Sequence, residues 1–230
     1  MDNKIFLTGI TGNVGSAVVD YLKSEKIEFI AGVRNIEKNG KQDKSIEYIQ
    51  FDFENADTYE IALKGVKKVF LVRPPQLTDV KGIFTPFIEK CKKAGVEQIV
   101  FLSLLGAEKN PFPPHHKIEK AILASGISYT FIRPSFFMQN LSTTHLEDIK
   151  LRDDLFIPSG SAKISFIDTR DIGEIIGRTL SEKGHENRAY AITGSEAITY
   201  FRVADTAEVL LKRKPRTIED FIKDHVEVWT

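Results

Sequence analysis

The segment from Lys4 to Gly15 constrains this chain more than any other. Ile5, Phe6 and Leu7 run into Thr8-Gly9-Ile10-Thr11-Gly12-Asn13-Val14-Gly15, with a glycine at every third position. Val14, Ala17, Val18, Tyr21 and Leu22 then recur at the spacing of one helix face. A buried strand that feeds a glycine turn and opens a helix begins a doubly wound α/β sheet. Without Cβ atoms, Gly9 and Gly12 let the backbone turn tightly and approach a pyrophosphate, and Gly15 lets the helix pack close to the strand. Thr11, Asn13 and Val14 lie where the helix start presents its amides to that anion. The alternative is a tight strand–helix turn with no ligand.

The same alternation continues. Apolar runs predict strands at Phe29–Ala31, Ile46–Phe51, Val69–Val72, Gln98–Leu102 and Ser128–Ile132. Val80, Ile83, Phe84, Phe87, Ile88 and Cys91 mark one helix face, and helices are also predicted over Ile118–Ala124 and Thr169–Leu180. Strands that are apolar throughout, rather than alternating, are covered on both faces. The expected fold class is α/β: a Rossmann-type doubly wound parallel sheet with its dinucleotide-binding core over residues 1–134, and a small C-terminal substrate lobe over 135–230 that completes the sheet and pocket and packs on the core.

Composition removes several classes of function. The 230 residues carry 32 Lys+Arg against 32 Asp+Glu, so no net basic field favours nucleic acid or an anionic membrane surface. A single cysteine, Cys91, excludes an internal disulfide and a cysteine-built metal cage. The longest apolar stretch is too short to span a bilayer, and the N-terminus does not read as a signal peptide. The expectation is a soluble, cytoplasmic protein with a small-molecule partner.

Arg34 narrows the ligand. An acid is usual after the second strand of an NAD site, where it binds the adenosine ribose hydroxyls. Here Arg34 stands there with Lys38 behind it, whereas Glu28 lies at the wrong end of the strand. A guanidinium suits a 2′-phosphate through charge-assisted hydrogen bonds, which favours NADP(H) over NAD(H). A solvated arginine in a surface loop is the plainer reading.

The chain resembles the NmrA-like group of atypical short-chain dehydrogenases, which includes quinone and azo-dye reductases and redox-sensing regulators. The residues that carry the likeness are the glycine turn, Gly32-Val33-Arg34, Asp52-Phe53, Leu71-Val72-Arg73-Pro74-Pro75, Phe101-Leu102-Ser103, Ser125 to Pro134, and Phe136-Phe137-Met138-Gln139-Asn140. The resemblance implies that Asp52 and Phe53 border the adenine and that Val72, Arg73 and Pro74 border the ribose and nicotinamide side. It further implies that Pro134, Ser135 and Phe136 flank the nicotinamide. Phe136, Phe137 and Met138 would form the acceptor pocket, although ordinary core packing also accounts for such a cluster.

The Tyr-x-x-x-Lys pair of typical short-chain dehydrogenases is absent: none of the 6 tyrosines has a lysine four places on. Alcohol–ketone chemistry by that route is therefore not expected. Alignment with the family puts His115 near the usual lysine position, facing the sheet with Ile118 and Ile122. An imidazole near its ordinary pKa would donate a proton to a reduced quinone or azo nitrogen. A polar helix start with solvated histidines is the alternative. Ser103, at the end of the fifth strand, is a second candidate donor. Neither a metal nor a flavin is expected.

The leading expectation is an NADP(H)-dependent oxidoreductase that passes hydride to a small planar electron-poor acceptor. A non-catalytic NADP(H)-binding redox sensor is the alternative, and a homodimer or a regulatory protein partner stays open. After Tyr200 the chain runs almost directly into a segment, Lys214 to Phe221, that comes later in the family. Either a deletion or a stretch missing from the sequence explains this, and a deletion would leave the substrate site more open.

Overall fold

Seven parallel strands form one sheet in the order β3-β2-β1-β4-β5-β6-β8. They are β1 (Ile5–Leu7), β2 (Phe29–Val33), β3 (Glu47–Gln50), β4 (Lys68–Val72), β5 (Gln98–Leu102), β6 (Ser128–Pro134) and β8 (Arg188–Ile192). In this computed structural model, residues 4–39, 43–143 and 161–199 are described. The predicted departure after Tyr200 lies outside them.

The chain builds outward from β1 to β3, then returns to place β4 on the other side of β1. That reversal opens a crevice beyond the carboxyl ends of β1 and β4, where parallel α/β sheets take their ligands. Thr8, fully buried, stitches the two ends together: its Oγ1 donates to Phe70 O at 3.0 Å and accepts from Val72 N–H at 2.9 Å.

Helices α1 (Asn13–Ser24), α2 (Ile36–Asn39), α3 (Asp57–Ala62), α4 (Thr85–Ala94), α5 (Pro114–Ser125) and α6 (Thr169–Ser181) connect the strands, and a π-helical turn, Val80–Phe84, leads into α4. Beneath them an aromatic cluster of Phe6, Phe51, Phe53, Tyr59, Phe84 and Phe87 fills the core beside β1–β4. Its rings meet mostly edge to face, at centroid distances from 4.8 to 5.7 Å. Tyr59 adds a hydrogen bond to Phe53 O at 2.5 Å, and burial raises its phenol to about 12. Cys91 is fully buried, and desolvation holds its thiol far above the ordinary range, so it is inert as a nucleophile.

The chain divides otherwise than by a cut after residue 134. One compact unit holds Met1–Pro134 together with Thr169–Ile192; the other holds Ser135–Asp168 and Thr193–Thr230. Residues 135–230 were expected to complete the sheet as one lobe; of these, helix α6 and strand β8 group with the first unit and the rest with the second. The reason is a long-range contact. At Gly173 the two backbones of α6 and α1 come so close that a Cβ would stand 2.6 Å from the Ala17 carbonyl carbon. In the second unit, a 3₁₀ turn (Met138–Ser142) lies near the antiparallel pair β7 (Ile164–Ser165) and β9 (Ala197–Ile198).

Gly173→Ala forces α1 and α6 apart against backbone that cannot move aside. It is expected to destabilise the chain by about 1–3 kcal/mol. Urea unfolding monitored by circular dichroism checks this; an unchanged midpoint would contradict the contact.

Candidate functional site

A groove of ≈ 840 Å³ runs along the carboxyl ends of β1–β4. Each wall follows directly from a strand end. Gly9, Ile10, Thr11 and Gly12 come after β1, Arg34 and Asn35 after β2, Phe51 to Glu54 after β3, and Arg73 to Leu77 after β4, joined by Gly32, Val33 and Val72 from the strands themselves. Ser16 and Asp20, four apart on α1, and Tyr48 on β3 also line it.

The turn after β1 has the geometry an anion needs. Gly9 takes φ +66°, and its carbonyl accepts from Gly12 N–H at 3.1 Å. A Cβ on Gly15 would stand 2.1 Å from that same carbonyl oxygen, so only glycine lets α1 begin this close to β1. Gly12, at the N-cap, makes no side-chain hydrogen bond to the first turn, which leaves the helix start uncapped by any side chain. Val14 and Gly15 are buried and act through packing rather than at the groove surface.

Charge in the groove is uneven. Asp20, Asp52 and Glu54 supply carboxylates, and Arg34 and Arg73 supply cations. Arg73 is committed to its own loop: Nη1 donates to Pro74 O, Pro75 O and Leu77 O at 2.9, 2.8 and 3.1 Å. Arg34 is exposed and, among the described residues, makes no hydrogen bond or ion pair. Asp52 Oδ1 accepts from Glu54 N–H at 3.0 Å and so shapes the turn after β3. The ring of Phe53 belongs to the aromatic core, with centroids 5.2 Å from Phe84 and 5.4 Å from Phe87.

His115 lies on the first turn of α5, its ring stacked on Phe101 at a centroid distance of 6.0 Å. Its Nδ1 is buried without a partner. Burial first, then the Arg73 charge, pull its pKa down to about 4 against a smaller opposing pull from Glu119. The ring is therefore uncharged at neutral pH, which corrects the expectation of a proton donor near 6.5. Ser103 is also corrected as a donor. Its hydroxyl gives its hydrogen to Glu119 Oε1 at 2.6 Å. His116 is tied to Ala107 O at 2.7 Å.

Pro134 ends β6, and its carbonyl accepts from Leu105 N–H at 3.0 Å. Ser135, Phe136, Phe137 and Met138 belong to the second unit. There Phe136 and Met138 bracket Ile167 by backbone hydrogen bonds of 2.9 Å, with side chains 53% and 45% exposed. Those two are thus not core residues, which was the alternative for the cluster.

The NmrA-like family model matches residues 1–219. The chain belongs to the NmrA-like family. It is 33% identical over 221 residues to an NAD(P)H azoreductase of Xenophilus azovorans, covering 93% of this chain and 76% of that protein. The solved structure of an NADPH-dependent quinone oxidoreductase of Escherichia coli, complexed with NADPH, matches with a TM-score of 0.76 and 26% identity over 91% of this chain and 76% of that one. Triphenylmethane reductase of Citrobacter sp., complexed with NADP(H), shares the fold, with a TM-score of 0.79 at 23% identity, covering 99% and 84% of the two chains. No helix among the described residues is long and apolar enough to cross a membrane.

Sequence reasoning missed Thr8, Ser16, Asp20, Tyr48 and Glu119. Ser16 and Asp20 were readable from the polar face of α1. Thr8 and Glu119 depend on which strand end lies beside which.

The depressed His115 pKa has a consequence for stability. The unfolded chain takes up the proton before the folded chain does. Stability linked to this ring is therefore complete above pH 6.5 and is lost as the pH falls through about 4. Between about pH 7 and about pH 5, wild type should lose more stability in urea unfolding than His115→Phe, which keeps the stacking but does not titrate. Equal losses would contradict a buried neutral ring.

Proposed function

We propose that the chain is an NADP(H)-dependent oxidoreductase that delivers hydride to a small planar electron-poor acceptor, a quinone or an azo compound. The observation that carries the reading is the groove itself: a glycine turn shaped for a pyrophosphate, with an arginine, unpaired among the described residues, where NAD sites usually hold an acid. The groove residues fit a nicotinamide dinucleotide. Gly9 to Gly12 and the start of α1 would hold the pyrophosphate, Arg34 the 2′-phosphate, and Asp52 with the backbone of Phe53 the adenine side. Val72 and Pro74 would border the ribose and nicotinamide side. When bound, the nicotinamide supplies the hydride.

The chain's own contribution is placement. Arg34 reads the 2′-phosphate by a charge-assisted pair. His115 offers a neutral imidazole to the acceptor's oxygen or nitrogen, and the proton that balances the hydride comes from water. Phe136 and Met138 are exposed apolar residues of the second unit. The names of the azoreductase and quinone oxidoreductase relatives support this acceptor class. A redox sensor without catalysis would share the groove and is the competing outcome.

NADPH absorbance followed across a panel of quinones and azo dyes tests the reaction. Acceptor-dependent oxidation is expected; normal NADPH binding with no oxidation would overturn the enzyme reading in favour of the sensor. Arg34→Ala should weaken NADPH binding by about 10-fold or more while leaving NADH nearly unchanged, because only the 2′-phosphate pair is lost. Equal losses in a calorimetric titration would mean that Arg34 does not read that phosphate.

A further inference from the structure

Helix α5 meets the sheet at two places one turn apart. At the first, the His115 ring lies on Phe101 of β5. At the second is Glu119, only 4% exposed. Its Oε1 accepts from Ser103 Oγ at 2.6 Å and from Arg133 Nε at 3.0 Å, and its Oε2 accepts from Arg133 Nη2 at 2.7 Å. Arg133 Nη1 lies 3.2 Å from Glu108 in the loop before α5.

The spacing on the two layers matches. Phe101 and Ser103 are two apart in and just after β5, as Phe131 and Arg133 are in β6, so each pair faces the same side of the sheet. The Phe101 and Phe131 rings meet edge to face at 6.4 Å. His115 and Glu119 are four apart and share one face of α5. The step from ring platform to anchor on the strands is thus answered by the step from imidazole to carboxylate on the helix.

A buried carboxylate is tolerated only where its oxygens are fully paired. Here hydrogen bonds from the ends of two strands fix both oxygens, which gives Glu119 one seat. An apolar residue would fill the same space without fixing a register, because apolar contact is not directional. We propose that Glu119 is a positioning residue: its pairing with Arg133 and Ser103 sets the register of α5 on β5 and β6 and so holds the His115 ring on Phe101. Its effect on catalysis rests on the role given to His115 above; the positioning does not.

The sign of one titration separates positioning from plain electrostatics. The charged groups that act on His115 are Arg73 from the end of β4 and Glu119 from α5, and burial acts more strongly than either. Loss of the Glu119 charge alone would lower the midpoint of the ring further. Loss of its seat would expose it and raise the midpoint.

Histidine ring signals of the full chain are followed by NMR against pH, with His115 assigned by its disappearance in His115→Phe. In Glu119→Gln the midpoint is expected to rise from about 4 toward 6.5. At the same time kcat falls about 10-fold to 100-fold, with NADPH affinity unchanged. A midpoint that stays or falls overturns the proposal, whatever kcat does. A raised midpoint with unchanged kcat upholds the positioning and overturns the role of His115 instead. Should Glu119→Gln not fold, Ser103→Ala removes one hydrogen bond and keeps the ion pair. It is expected to raise the midpoint by less, and no movement there overturns the proposal.

Discussion

The close approach of α1 to the carbonyl of Gly9 governs the rest of the groove. A helix that starts one Cβ further away would point its amides past the crevice, and the turn would have no reason to take a positive φ. Thr8 makes the approach matter by fastening the end of β1 to the end of β4 through both a carbonyl and an amide. The glycine turn and the wall that carries Val72 and Arg73 are therefore one rigid piece. On the far side of α1, the contact at Gly173 seats the same helix against α6. The helix that would meet the anion is held from both sides by positions where a side chain has been given up.

Charge follows the same economy of placement. Of the two arginines lining the groove, Arg73 spends Nη1 on three backbone carbonyls and becomes part of the wall. Arg34 is exposed at the groove and, among the described residues, makes no hydrogen bond or ion pair. Arg133 is paired on both sides, with Glu119 and Glu108, and its work is to bind α5 to the sheet. The neutral net charge of the chain thus hides cations with three separate tasks. Of the three, Arg34 is the exposed one.

Much of this was legible in the sequence, and the exceptions have physical causes. Strands β1, β2, β4 and β5 carry near-continuous apolar runs because both faces are covered, and such runs announce themselves. Strand β8 sits at the sheet's edge with an exposed or half-buried pattern, and its run of Ala189 to Ile192 is short and rich in small alanine, so it stands out little in the sequence. Helix α3 has six residues, too few for a periodicity to emerge. Gly9, Arg34 and Asp52 were readable as groove residues because each follows a strand end, and Val72 because it closes one; parallel sheets gather those ends at one edge. The His115 pKa, the pairing of Ser103 with Glu119 and the return of α6 to the first unit all depend on register between elements distant in the chain. No local pattern encodes them.

The account stands or falls on the turn after β1 as the seat of a dinucleotide pyrophosphate. Calorimetric titration of NADPH into wild type and Gly15→Ala tests it most directly, with unfolding curves to confirm that the variant folds. The added methyl group would collide with Gly9 O and move the start of α1. The account predicts one NADPH bound by wild type and a loss of about 100-fold or more in the folded variant. Undiminished binding by a folded Gly15→Ala would contradict it.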